Sequence, residues 1–264
     1  MVFEISQNDL MKEIPFIKRA RGFRLYTQNG KRLLDLWQQG GRAILGHNAK
    51  GVLRELKNNA ERGLIANFPN AEEKRLYKAL SKIFPERQCR IYADRYSFYQ
   101  TLKSQNIKEE NISVWRPFIN DSDPFFISEA EKSVILFPIL PYILAPLVLV
   151  LPVAISDFPP SDTFSPAILA ATTKSVYGLI MEKESRGKMQ YPKIESLFTQ
   201  NHWQRNGIYI TSKKVLDKKA YTDLFLNFLD KGFLLPPSND LPIILPETMS
   251  LGEEAKLAEL LRKN

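Results

Sequence analysis

The residues able to do chemistry are few and scattered. His47 and His202 are the two histidines, and neither has a cysteine or a pair of carboxylates nearby, so no metal-ligand set is formed. The single cysteine, Cys89, sits in the apolar run CRIYA and reads as a small buried hydrophobe rather than a nucleophile. Asp121 and Asp123, with Glu129 and Glu131 beyond them, read as solvated turn residues rather than a general acid and base. There is no Gly-x-Ser-x-Gly elbow, phosphate-binding P-loop or dinucleotide fingerprint. Basic residues cluster at Lys18-Arg19-Arg21-Arg24, at Lys31-Arg32 and at Lys213-Lys214 with Lys218-Lys219, within a net charge of +8. Such patches can steer an anion or a nucleic acid. No nucleic-acid module accompanies them, so a solvated basic face is the simpler reading.

The elements that would position these residues follow from the apolar pattern. The stretch SVILFPILPYILAPLVLVLPVAIS (133–156) lacks any Asp, Glu, Lys or Arg. Pro138, Pro141, Pro146 and Pro152 rule it out as a membrane helix, because each removes a donor and clashes with the preceding turn. Val134–Phe137 and Leu147–Leu151 instead read as strands buried on both faces of a parallel sheet. Asn29-Gly30 predicts a type I′ hairpin between arms at 24–28 and 31–37. Helical spacing marks 52–64, 71–84, 96–105, 167–181 and 219–230, and Ser250 with Glu253 forms a capping box for a last helix from Leu251. Strands are expected at 89–93, 111–115 and 207–211, and from Phe233 into a turn; the alternation of helix and strand points to an α/β fold. Trp37, Trp115 and Trp203 read as core or interface anchors.

Length and composition fit this. The chain of 264 residues allows one large domain or two ordinary ones, and 44% hydrophobic with 25% charged residues suits a globular protein with a real core. One cysteine excludes an internal disulfide framework, and Met1-Val-Phe-Glu carries no basic-then-apolar signal; both lead to an expected cytoplasmic location.

Several segments resemble one family. GFRLYTQNGKRLLDLWQQGGRAILGHNAKGVLREL (22–56) is similar to the N-terminal region of class III pyridoxal-phosphate-dependent aminotransferases, above all the glutamate-1-semialdehyde aminomutases, with their "D-G-x-x-Y-x-D" hairpin and "I-L-G-H". The helix before Pro85 resembles the family's "E-x-x-L-A-x-x-I". TFSPAILAA (163–171) resembles "T-F-S-G-N-P-L-A", KGFLLPPS (231–238) resembles "G-V-Y-L-P-P-S", and residues 250–260 resemble the family's terminal helix. The resemblance implies a reduced type I pyridoxal-phosphate transferase fold: a truncated parallel-sheet large domain plus an α+β C-terminal small domain. The expected division is an N-terminal segment at 1–60, the large domain at 61–178 and the small domain at 179–264, with the hairpin packed on the last.

The family's chemistry needs a lysine that forms a Schiff base with the cofactor aldehyde. Aligning the proline of "K-x-L-G-G-G-x-P" with Pro152 places Ala145 there, and Val148, Leu149 and Val150 at the glycines; no lysine lies between Lys132 and Lys174. The aspartate that pairs with the pyridine nitrogen has no counterpart between Phe137 and Ala145, and the "E-P" preceding it corresponds to Phe137-Pro138. The phosphate loop corresponds to Ala93, Asp94 and Arg95, where Asp94 would repel a phosphate and Arg95 reads as a surface arginine. The ring-stacking aromatic of "Y-H-G" has no clear match near Ile119-Asn120-Asp121, and Thr163 matches a threonine that reaches the phosphate across a dimer interface. His47 falls on the family's structural Gly-His pair.

The expectation is therefore a non-catalytic aminotransferase-like pseudoenzyme, a binding or scaffold protein with no cofactor. Its expected partners are a second copy of itself, an active relative, or a small molecule of unknown class. One alternative is an active transferase using a displaced lysine, Lys132 or Lys174. A second is anion or nucleic-acid binding through the basic patches.

Overall fold

The computed structural model describes residues 9–120, 122–123, 125–127, 131–141, 144–155, 157–186, 191–198 and 202–263; Asp121 and Glu129 of the acidic loop lie outside them. Contacts divide the chain into two compact units. One takes in Ala49–Pro117 and Phe125–Lys183; the other takes in the described parts of Phe3–Asn48, Phe118–Pro124 and Glu184–Asn264. The divisions fall at 48/49 and 183/184, where the sequence reading sets 60/61 and 178/179.

The second unit begins with a short helix α1 (Leu10–Glu13) and strands β1 (Ile17–Arg21), β2 (Arg24–Thr27) and β3 (Arg32–Asp35), joined as antiparallel neighbours. The β2–β3 turn is not type I′, because of Asn29 and Gly30 only Gly30 has a positive φ (+83°). Thr27 closes the loop instead, donating its N–H to the Lys31 carbonyl at 2.9 Å and its hydroxyl to the same carbonyl at 3.0 Å. This is the longer hairpin in which one glycine takes the left-handed position. β1 is an edge strand whose Lys18, Arg19 and Arg21 are all exposed.

The first unit contains α2 (Val52–Glu61), α3 (Glu72–Ile83), β4 (Cys89–Tyr92), α4 (Arg95–Ser104), β5 (Ile112–Val114), β6 (Ser133–Leu136), β7 (Leu147–Val150) and α5 (Pro166–Arg186), whose last residues pass into the second unit. The sheet order is β4-β7-β6-β5. Every residue of β6 and β7 is buried, as the unbroken apolar runs predict. The expected parallel pairing holds for β5 with β6, but β7 runs antiparallel to both β4 and β6. The connection from Phe137 to Pro146 holds three prolines and is too short for the crossover that a parallel return requires. α3 buries Leu76, Ala79, Leu80 and Ile83. α2 buries less: Val52 and Asn59 are inside, whereas Leu53 remains 44% exposed.

The second unit is completed by α6 (Pro192–Glu195), β8 (Trp203–Asn206), β9 (Tyr209–Ser212), α7 (Lys218–Asp230), β10 (Phe233–Leu234), β11 (Ile243–Ile244) and α8 (Leu251–Lys263). β10 pairs in parallel with β3, which joins the N-terminal hairpin to the C-terminal segment as expected. β11, β9 and β8 form a second sheet. Gly207 leads the β8–β9 turn with φ +57°, and a Cβ there would lie 1.8 Å from the Phe118 carbonyl oxygen, so only glycine fits. Ser250 and Glu253 form the reciprocal cap of α8, at 2.8 and 3.2 Å. Among the described residues no helix is long and apolar enough to cross a membrane.

Candidate functional site

β4 and β6 both run against β7, so they share a direction, and ligands of open α/β sheets bind beyond the carboxyl ends of such strands. The register Tyr92↔Leu147 and Leu136↔Val148 puts the residues after β4, after β6 and before β7 at one end of the sheet. Ala93, Asp94, Arg95, Phe137 and Ala145 therefore gather at that edge. Ala145 is buried and Phe137 half-buried. Thr163 is exposed and accepts a hydrogen bond from the Asn67 amide at 3.1 Å.

Asp94 is the N-cap of α4, accepting from the Ser97 N–H at 2.8 Å. A second carboxylate reaches the same place. Asp162 Oδ2 accepts from the Ala93 N–H at 2.8 Å and from the Ser97 hydroxyl at 2.7 Å. Its own N–H donates to the Ile91 carbonyl at 2.9 Å, and the Ser161 hydroxyl oxygen accepts from the Ile91 N–H at 3.0 Å. Arg90 fixes the preceding residues through Nε to the Pro159 carbonyl (2.8 Å) and Nη2 to the Phe158 carbonyl (3.1 Å). Residues 158–162 thus run along the edge of β4 left unpaired by the sheet, which covers its backbone groups. The Tyr77 hydroxyl, 2.5 Å from Ser161 Oγ, anchors this segment to α3, and burial raises the Tyr77 pKa. Burial also pushes Tyr92 up to about 12.

Asp162, Ser161 and Ser97 were not singled out in the sequence. Asp94-x-x-Ser97 opening a helix is an N-cap pattern, so Ser97 was within reach; Asp162 was hidden in a Pro/Ser/Asp turn cluster and is brought in only by the fold.

Of the two alternative lysines, Lys132 is not placed for imine chemistry at this edge. Lys132 precedes β6, at the far end of the strand from Phe137, roughly 16 Å away at about 3.3 Å per residue. It lines an open cleft of about 610 Å³ with Asn106, Asn111 and Pro152. Lys174 lies on α5 with its chain against Gly51, where a Cβ would meet its Cε at 2.8 Å. The residues present do not fit pyridoxal phosphate: the amine, the acid for the ring nitrogen and an anion cradle free of carboxylates are all absent from the described edge.

Elsewhere, His47 Nε2 lies 2.7 Å from Asp35 Oδ2, and Asp35 Oδ1 accepts from the N–H groups of Trp37 (2.9 Å) and Gln38 (2.8 Å). This is the structural role expected for His47. Cys89 is buried and its pKa is pushed up to about 12 by desolvation, which leaves it an inert thiol. His202 has a lowered pKa, from burial first and then from Lys214. Among the described residues no group of His, Cys, Asp and Glu has metal-binding geometry.

No family model matches the chain. An uncharacterized protein of Borreliella burgdorferi is 27% identical over 258 residues, covering 92% of this chain and 89% of that one. One from Treponema pallidum is 38% identical over 90 residues, 34% of this chain and 29% of its own length. The glutamate-1-semialdehyde 2,1-aminomutase of Thermoplasma acidophilum is 38% identical over 66 residues, a match spanning 25% of this chain and only 16% of the aminomutase. Solved structures extend the likeness to the whole chain. Ornithine delta-aminotransferase from Plasmodium falciparum superposes with a TM-score of 0.63 at 14% identity, covering 94% of this chain and 92% of that one. The adenosylmethionine-8-amino-7-oxononanoate aminotransferase of Methanocaldococcus jannaschii gives 0.61 at 15% identity, with 96% and 94% covered. In fold the chain is similar to the class III pyridoxal-phosphate-dependent aminotransferases, and a quarter of it resembles an aminomutase in sequence. It carries a reduced form of their type I fold.

Proposed function

We propose that this chain is a non-catalytic member of the aminotransferase fold, a binding or scaffold protein. The observation that carries the reading is Ala145: at the position aligned with the Schiff-base lysine stands a methyl group, while Lys132 lies at the far end of β6 and Lys174 packs its chain against Gly51. Without an amine no imine with a cofactor aldehyde forms, and no acidic residue stands between Phe137 and Ala145, where the family carries the aspartate that pairs with the pyridine nitrogen. Binding is the function left to the scaffold. Leu53 on α2, with Ile65 (72% exposed) and Phe68 (57%) in the residues that follow, leaves apolar surface on the first unit that suits a second copy of the chain or an active relative.

The test is the absorbance spectrum of the purified chain with pyridoxal phosphate, before and after borohydride reduction. The expected result is no imine band and no mass adduct. A stoichiometric adduct on one lysine would overturn the reading, and peptide mapping would name the true site. Light scattering at micromolar concentration tests self-association, for which a monomer mass is the adverse outcome.

A further inference from the structure

We infer that Asp162 is a tethered anion at the approach to α4, so that this edge refuses phosphate because the chain's own carboxylate already holds the Ala93 N–H and the Ser97 hydroxyl. A helix N-terminus favours negative charge, and its first N–H groups need acceptors. Here the Ala93 N–H and the Ser97 hydroxyl converge on one oxygen, Asp162 Oδ2, at 2.8 and 2.7 Å, while Asp94 takes the Ser97 N–H. These are short, charge-assisted bonds, and the carboxylate that makes them is held in place by backbone. The Asp162 N–H to Ile91 bond, the Ser161 contacts with Ile91 and Tyr77, and the two Arg90 bonds to Pro159 and Phe158 fix residues 158–162 along β4. A phosphate dianion arriving here would meet two carboxylates and find these donors taken. Losing the lysine alone would have left an anion site able to hold a phosphorylated small molecule without reacting. Asp162 removes that possibility, and any ligand of this chain must be held by other groups. The inference deepens the reading above and rests on it in one respect, that no lysine adduct holds the cofactor by another route.

The experiment uses the full chain, wild type and Asp162→Ser, with inorganic phosphate and pyridoxal phosphate as probes at constant ionic strength set with chloride. The readouts are the amide NMR shifts of Ala93 and Ser97 and the melting temperature. Wild type is expected to show no saturable shift. Asp162→Ser is expected to show one for both probes, with affinity raised roughly tenfold or more over wild type. Equal binding by the two proteins, or no binding by a folded Asp162→Ser, overturns the inference and leaves the proposed function standing. A borohydride-trapped lysine adduct in wild type overturns the proposed function instead. Amide exchange in wild type needs no variant. The exposed Ala93 N–H is expected to be protected by its bond to Asp162, and exchange at the rate of a free amide overturns the inference.

Discussion

Asp35 and Asp162 do similar work in different units of the molecule. Each carboxylate gathers nearby donors: Asp35 takes the Trp37 and Gln38 N–H groups and faces His47, and Asp162 takes the Ala93 N–H and the Ser97 hydroxyl. Asp35 is 1% exposed and lies in the stretch where the resemblance to aminotransferases is strongest, "D-…-I-L-G-H". Asp162 is half-buried and lies at the sheet edge that the sequence alignment matches to the family's phosphate loop. A buried polar network must be satisfied for the chain to fold, whatever the chain does. An edge shaped for a ligand has no such constraint once the ligand is gone, and the chain's own side chains take over its donors.

The sharpest way to break this contrast is to remove Asp35. Asp35→Ala leaves two buried N–H groups and His47 without their acceptor and is expected to cost about 3–5 kcal/mol in urea unfolding. Asp162→Ser, whose serine can still accept and whose site admits water, is expected to cost about 1 kcal/mol. Equal losses would mean that the edge is as much a folding element as the Asp35 network. Gly207→Ala probes the same unit as Asp35 through sterics alone. With φ at +57° and the Phe118 carbonyl in the way, the methyl group is expected to cost about 2–4 kcal/mol. A variant that melts like wild type would show that the β8–β9 turn can move away from Phe118.

Much of this was legible in the residues, and the failures have physical causes. The unbroken apolar runs of β6 and β7 identified buried strands, because burial on both faces leaves no room for alternation. Their relative direction was set by the length of the chain between them, which the same sequence displays and which the strand pattern does not encode. Ser250 and Glu253 announced their cap because both partners lie within one turn. Asn29-Gly30 announced a hairpin but not its turn type, since Thr27 competes for the closing carbonyl through its hydroxyl. Asn206-Gly207 carried the same signal for β8 and β9, and β8 was missed because WQRN has no apolar alternation to mark it as a strand. The loss of the lysine could be read by alignment to Ala145. The replacement of the phosphate could not, because Ala93 and Asp162 are joined only by tertiary structure.

The smallest expected effect concerns Glu253, where capping and ion pairing meet. Burial alone would raise its pKa. The Arg24 guanidinium, with Nη2 2.6 Å from Oε2, and the Ser250 N–H outweigh that and hold it below the usual glutamate range. Arg32 stands 3.5 Å away on the same side. A folded-state pKa below the unfolded one gives stability that is present above the unfolded value and is lost as pH falls through the folded value. Glu253→Gln keeps the cap geometry and removes the charge, and is expected to lower stability by about 1 kcal/mol near pH 7. That deficit should shrink steadily as the pH of paired urea titrations is taken below about 4.5. A deficit constant across that range would assign Glu253's contribution to the hydrogen-bonded cap alone. It would also show that the second unit, like the edge at Asp162, places its carboxylates for their acceptor oxygens first and for their charge second.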